Sequence, residues 1–162
     1  MQKISPCLWF DSQAEEAAKF YVSIFKNSKI KRVLRVGDNV ARATSKPKGS
    51  VLLVEFVLDG EKFAALNGGP QFKINQAISF MVHCDSQREV DRFWEKLSAG
   101  GEKDNCGWLK DKFGVSWQIT PTVLLDMHHD KNAKKSEAVM AAMMTMNKLD
   151  IKRLKQAYRS AR

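Results

Sequence analysis

The chain has 162 residues, enough for one domain or for two small modules that share a core. Its 44% hydrophobic and 28% charged residues are typical of a globular protein and exclude disorder of the whole chain. No apolar run approaches the roughly 20 residues of a membrane span, and the start, MQKISPCLWF, lacks the apolar core of a signal peptide. We therefore expect a cytoplasmic protein that does not enter the membrane.

The net charge of +9 is concentrated near the C-terminus. Residues 131–162 contain nine Lys or Arg and two acidic residues, a net charge of +7, so the first 130 residues carry only +2. A basic tail of this kind permits nucleic-acid binding, but a solvated helix face is the simpler interpretation.

The three cysteines, Cys7, Cys84 and Cys106, are an odd and widely spaced set with no CxxC pair. This spacing argues against a disulfide framework and against a structural zinc site.

The first part of the chain contains an internal repeat. Residues 4–21 read ISPCLWFDSQAEEAAKFY, and residues 78–94 read ISFMVHCDSQREVDRFW. In each copy an apolar run predicts a short strand, and the following Asp-Ser-Gln begins a helical pattern. We predict a capping box at each helix start, one from Ser12 to Glu15 and one from Ser86 to Glu89.

The helix stripes and the later strands follow in chain order. Apolar stripes predict helices through Ala17, Tyr21, Ile24 and Phe25, and through Val90, Phe93, Trp94 and Leu97. Strands are predicted at 29–36, 51–58, 61–67, about 102–109 and 115–120, with turns at 59–60 and 112–114. Residues 37–50 resemble a loop, and 68–76 connect the halves. The order is βαβββ twice, which predicts an α+β fold rather than a doubly wound parallel sheet.

A helical extension is predicted over residues 121–162. Four of the seven methionines fall within 140–146, a pattern typical of a docking surface. Asp150 is predicted to cap a last helix with one apolar stripe and solvated basic residues. The stripe is Ile151, Leu154 and Tyr158, and the basic residues are Lys152, Arg153, Lys155 and Arg159.

Paired βαβββ modules resemble the vicinal-oxygen-chelate superfamily, the fold of glyoxalase I and of extradiol dioxygenases. Several segments are similar to its PhnB-like branch, historically labelled 3-demethylubiquinone-9 3-methyltransferase: PCLWFDSQAEEAAKFY, ALNGGPQF, ISFMVHC, CGWLKDKFGVSWQITP and MNKLDIKRLKQAY. The resemblance implies a glyoxalase-fold domain at 1–120, with modules at 1–69 and 77–120, and a basic helical extension at 121–162. It also implies a concave cleft formed by curled sheets, and a homodimer.

Metal-dependent relatives place one ligand on the first and one on the last strand of each module. Here residues 2–10, 62–69 and 74–82 contain no His, Asp or Glu, and the final strand has Gln118 where such an enzyme has a carboxylate. Hydroxyl, thiol and amide groups do not repay the dehydration of a divalent ion. We therefore expect no metal and no other cofactor.

Strand alternation assigns one face of each strand to the helices and the other to the cleft. Ile4, Leu8, Phe10, Ile78, Phe80, Val82, Val115, Trp117 and Ile119 are predicted to pack under the helices. The predicted ligand-binding residues, with Asn67 added from its position at the end of module one, are Ser5, Cys7, Trp9, Asn67, Ser79, Met81, His83, Ser116 and Gln118.

These residues predict a pocket for a small, largely apolar organic molecule. His83 and Cys7 are the weak catalytic candidates, and the sequence leaves open whether the protein is an enzyme. Two alternatives remain. The first is an enzyme of the same fold, either a methyltransferase, for which no glycine-rich strand-to-helix turn is present, or a lyase or dioxygenase. The second is nucleic-acid or partner binding through the basic tail. The role of Glu55 stays open.

Overall fold

The computed structural model describes residues 2–44 and 46–161. The chain forms two compact units, which divide between Ile74 and Asn75. None of the described helices is long and apolar enough to cross a membrane. The strands are β1 (Cys7–Phe10), β2 (Lys29–Arg35), β3 (Val51–Leu58), β4 (Glu61–Asn67), β5 (Ser79–Cys84), β6 (Glu102–Lys103), β7 (Trp108–Lys110) and β8 (Ser116–Pro121). The helices are α1 (Ala14–Ile24), α2 (Asp38–Thr44), α3 (Gln87–Ser98), α4 (Thr122–His128), α5 (Ala133–Met143) and α6 (Ile151–Ser160).

The repeat in the sequence corresponds to a repeat in the topology. The first unit has a sheet of order β1-β4-β3-β2, and the second has a sheet of order β5-β8-β7-β6. In each sheet the first and last strands of the module pair in parallel, and the other pairs are antiparallel. The predicted α+β fold of two βαβββ modules is confirmed.

Helix α1 covers one face of the first sheet. Tyr21 from the helix and Phe56 from β3 are both buried, with ring centroids 6.3 Å apart. The predicted strands at 51–58 and 61–67 are confirmed, and β2 ends one residue before its predicted end.

The predicted capping box at Ser12 is wrong. The N-cap residue of helix α1 is Gln13, so Ser12 and Glu15 do not occupy the N-cap and N3 positions that the box requires. The Gln13 side chain makes no hydrogen bond to the start of the helix. The amide of Ala14 instead donates to Asn67 Oδ1 at 2.8 Å. A residue distant in sequence therefore supplies the cap.

The predicted loop at 37–50 contains the short helix α2. Asp38 in its first turn forms a 2.7 Å ion pair with Lys48, and the amide of Ala41 donates to the carbonyl of Gly37. No residue of α2 is buried, so no apolar stripe marked this helix in the sequence. Ser45, inside the predicted loop, lies outside the described residues.

Helix α3 covers one face of the second sheet and begins at the predicted Ser86 cap. Ser86 Oγ accepts from the amide of Glu89, and the Glu89 carboxylate accepts from the amide of Asp85 at 2.8 Å. Val90, Trp94 and Leu97 are buried, as the stripe predicted.

The predicted strand at 102–109 is wrong, because the chain reverses inside it. Cys106 and Gly107 both have positive φ angles, 58° and 82°. The amide of Trp108 donates to the carbonyl of Asn105, which closes the turn. The segment therefore forms an antiparallel pair, β6 and β7, in place of one strand.

The extension packs on the second module within the same unit. Helices α4, α5 and α6 share a buried cluster of Leu124, Met127, Val139, Met146, Leu149 and Leu154. The amides of Cys106 and Gly107 donate to the carbonyls of Met146 and Asn147, both at 2.7 Å. A Cβ on Gly107 would lie 2.8 Å from the carbonyl oxygen of Ile119, which favours glycine here.

The predicted cap of the last helix is confirmed. Asp150 Oδ1 accepts from the amide of Arg153 at 3.0 Å. Leu154 is buried, and the four predicted basic residues of α6 are exposed. Met140 on α5 and Met144, the residue that follows the helix, remain exposed.

Candidate functional site

Each sheet has one face away from its helix, and we call these the first and second open faces. Val115, which precedes β8, and Trp117 and Ile119 within it are buried as predicted, but Ser116 of the opposite face is buried as well, so burial alone does not separate the two faces of this strand. Ile4 and Ile78 were predicted to be packed, but they are 87% and 73% exposed. Both precede the first residue of their strand, so the strand alternation does not extend to them.

On the first open face, Cys7 and Trp9 stand opposite Ala64 and Leu66 of β4. Trp9 is held in place, because its Nε1 donates to the carbonyl of Gly69 at 2.8 Å. Its ring also meets Phe72 edge-on, with centroids 5.0 Å apart. This face therefore presents a fixed aromatic surface beside a thiol.

The protonation state of Cys7 and the ion pair of Glu55 limit the chemistry that the first open face can carry out. Partial burial raises the pKa of the Cys7 thiol, so the protonated thiol, a poor nucleophile, dominates at neutral pH. Glu55, whose role the sequence left open, forms a 3.6 Å ion pair with Arg32.

Asn67 and Ser5 are not brought together with Cys7 and Trp9. Asn67 stands opposite the buried Phe10, on the helix side of the sheet, and is 7% exposed. Its Oδ1 accepts from the amide of Ala14, and its Nδ2 donates to the carbonyl of Val51. Ser5 is exposed and precedes β1.

On the second open face, the predicted residues of β5 and β8 are adjacent. Ser79 stands opposite Ser116, and Met81 stands opposite Gln118. Gln118 Nε2 donates to Ser79 Oγ at 2.9 Å. His83 follows on the same face of β5 and is exposed.

Ser116 is the most deeply buried of these residues, at 1% exposed. Within the described part of the chain, its Oγ has no hydrogen-bond partner. It lines a cavity of about 280 Å³, whose other lining residues are Gln76, Glu102, Lys103, Asp104, Trp108, Leu109 and Lys110.

Three residues of this face were not among the predicted ligand-binding residues. Trp108 stands opposite Gln118, Lys110 stands opposite Ser116, and Glu102 stands opposite Lys110. They were missed because 102–109 was treated as one strand. The turn-forming Asp104, Asn105 and Gly107 were the signal that divides it.

The donor set does not fit a divalent metal. Gln118, where the resemblance implies a carboxylate in a metal-dependent enzyme, is a neutral amide whose Nε2 donates to the Ser79 hydroxyl. Among the described residues, no group of three or more His, Cys, Asp or Glu is placed to hold an ion. The nearby Asp111 is buried, and its carboxylate accepts from the Val115 amide and from Trp117 Nε1 at 2.8 Å. That carboxylate fixes the turn between β7 and β8.

Comparisons with known proteins agree with this architecture. The family model described as 3-demethylubiquinone-9 3-methyltransferase matches residues 2–120. The PhnB protein from Bacillus cereus is 33% identical, with 75% of this chain and 100% of that chain covered and a TM-score of 0.67. A search of curated proteins finds no match.

Two more distant structures share the fold. Protein PA1353 from Pseudomonas aeruginosa is 22% identical, with 75% of this chain and 98% of that chain covered and a TM-score of 0.60. The fosfomycin resistance protein FosX from Listeria monocytogenes is 16% identical, with 77% and 94% covered and a TM-score of 0.55. The chain therefore belongs to the PhnB-like, 3-demethylubiquinone-9 3-methyltransferase-like family of glyoxalase-fold proteins.

Proposed function

We propose that this protein binds a small, largely apolar organic molecule on the open faces of its sheets, without a metal. The observation that carries the proposal is the second open face, where Met81 and Trp108 flank Gln118 in one cross-strand row. Apolar surface with a few hydrogen-bonding groups is the ordinary lining of a small-molecule site. We further propose that the protein acts as a cytoplasmic homodimer. Its three free cysteines suit a reducing compartment.

A ligand screen tests this proposal. Small organic molecules that raise the melting temperature would be titrated into 15N-labelled protein and followed by amide chemical shifts. We expect the amides of β5 and β8 to shift, while those of α3, which covers the opposite face of the sheet, serve as the internal control. Calorimetric titration with Zn²⁺, Mn²⁺ and Ni²⁺ should give no stoichiometric binding. A tight ion whose binding depends on Gln118 would contradict the proposal.

An enzyme of the same fold is the second candidate, and the description of the matching family favours it. His83 and Cys7 are both exposed on open faces, where a substrate could reach them. If a reaction is found, the double variant Cys7→Ala/His83→Ala should abolish it. Full retention of activity would remove both residues from the mechanism.

Nucleic-acid binding through the extension is the third candidate. Lys152, Lys155 and Arg159 line an open groove of about 830 Å³ beside α6, and within the described residues none of the three forms an ion pair. Two carboxylates, Asp85 and Asp150, line the same groove and reduce its positive charge. Binding of this kind would weaken steeply between low and moderate salt. Changing Lys152, Lys155 and Arg159 together to Gln should make the affinity for nucleic acid less dependent on salt. If the salt dependence is unchanged, this surface is excluded as the binding site.

A further inference from the structure

A row of four polar side chains crosses the whole second sheet. Ser79 on β5 stands opposite Ser116 on β8, Ser116 stands opposite Lys110 on β7, and Lys110 stands opposite Glu102 on β6. Residues directly opposite one another project from the same face of a sheet, so all four lie on the second open face. The row places an ammonium group between a hydroxyl and a carboxylate.

Ser116 is the member of this row that lacks a partner. Its side chain is buried and lines the cavity, yet its Oγ makes no hydrogen bond within the described residues. A buried hydroxyl without a partner is costly, and native proteins seldom leave one. The neighbouring Ser79 Oγ, by contrast, accepts a bond from Gln118. The Ser116 hydroxyl is thus a free donor in the floor of a cavity.

Lys110 is half-buried, and its Nζ lies 2.8 Å from Glu102 Oε2. Glu102 is 71% exposed and belongs to a two-residue strand at the sheet edge. An ion pair with so exposed a partner is weak. A second carboxylate that enters the cavity can therefore replace Glu102 at little cost.

The other cation of the cavity, Lys103, stands opposite the buried Leu109, so its side chain projects from the helix face of the sheet. Asp104 Oδ1 accepts from the amide of Asn105. Lys110 is thus the cation available beside Ser116. Trp108 and Met81, in the adjacent row, supply apolar surface next to this pair.

We propose that Ser116 and Lys110 bind the carboxylate of a small apolar carboxylic acid, whose apolar part contacts Trp108 and Met81. The inference rests on the proposed function and names the class of ligand. One ammonium and one hydroxyl match a singly charged carboxylate, whereas a doubly charged phosphonate would need more donors. In the free protein the Glu102 carboxylate pairs with the Lys110 ammonium group, so it competes with the ligand carboxylate for that group.

Benzoate and benzamide test the proposal, because they have nearly the same shape and differ in charge. Amide chemical shifts in 15N-labelled protein would give both affinities. We expect benzoate to bind the wild-type protein about tenfold more tightly than benzamide. Lys110→Met should reduce benzoate affinity about tenfold and leave benzamide unchanged. Ser116→Ala should weaken benzoate binding several-fold, and Glu102→Gln should strengthen it.

Lys96→Met is the matched control, since it removes the same charge from an exposed position on α3. It should leave both affinities unchanged. Equal binding of the two probes to the wild-type protein, or equal losses for both in Lys110→Met, would overturn acid recognition and leave the proposed small-molecule site standing. No benzoate binding at millimolar concentration would also overturn it, whatever the wider ligand screen finds.

Discussion

Asn67 illustrates how one side chain can join a helix to a sheet. Its amide caps the start of α1 and also bonds the carbonyl of Val51, and the residue is buried. Asn67→Ala would remove both bonds and leave the backbone amide of the buried Ala14 without a partner. We predict a loss of about 1–3 kcal/mol in the free energy of unfolding, measured by urea denaturation. Asn147→Ala, at an exposed position, is the control and should change stability little. An equal, small effect of both changes would contradict the role of Asn67.

Cys84 gives the protein a specific dependence on alkaline pH. Burial raises the pKa of its thiol to about 12, with smaller contributions from Glu89 and Asp85. Above pH 9 the unfolded chain releases this proton while the folded chain keeps it, so stability falls as pH rises. One such proton contributes up to about 1.4 kcal/mol per pH unit.

Cys84→Ala should reduce this loss between pH 9 and pH 11, as measured by urea denaturation at each pH. The variant is expected to be less stable overall, so we compare the slope of the free energy of unfolding against pH rather than its absolute value.

In the native protein at pH 8, Cys7 should react with a thiol reagent before Cys84. Rapid modification of Cys84 at that pH would contradict its burial.

Among the elements, the start of α6 is joined to α3 through one glutamine. Gln87 Nε2 donates to the carbonyl of Leu149, and its Oε1 accepts from the amide of Ile151 at 2.9 Å. Gln87→Ala should therefore loosen the start of α6. We predict about 10- to 100-fold faster hydrogen exchange of α6 amides, corresponding to about 1–3 kcal/mol. Gln156→Ala, on the exposed side of α6, should leave exchange close to the wild-type rate. Matching rates in the two variants would show that Gln87 does not anchor the helix.

Elements whose apolar pattern is local could be predicted from the sequence. β3, β4, α3 and the Asp150 cap follow from alternation, from a helical stripe and from capping residues. Elements fixed by distant partners could not be predicted. The start of α1 depends on Asn67, and α2 buries none of its residues.

The residues of the candidate site also include some that could be predicted from the sequence and some that could not. Strand alternation placed Ser79, Ser116 and Gln118 on one face, because β5 and β8 are regular strands without a turn inside them. It missed Lys110, because 102–109 was treated as one strand although Asn105 and Gly107 indicate a turn. Two bonds hold that turn: the amides of Cys106 and Gly107 donate to the carbonyls of Met146 and Asn147, about 40 residues later in the chain. The free Ser116 hydroxyl is a property of packing, which no local pattern in the sequence encodes.

At the scale of the whole molecule, we propose metal-free binding of a small organic molecule. The most direct test is native mass spectrometry of the purified protein under gentle conditions and without a chelator. It reports the number of subunits, any bound metal and any retained molecule together. We predict a dimer that carries an additional organic mass and no metal. A stoichiometric divalent ion on each subunit would contradict the claim and would favour a metal-dependent enzyme.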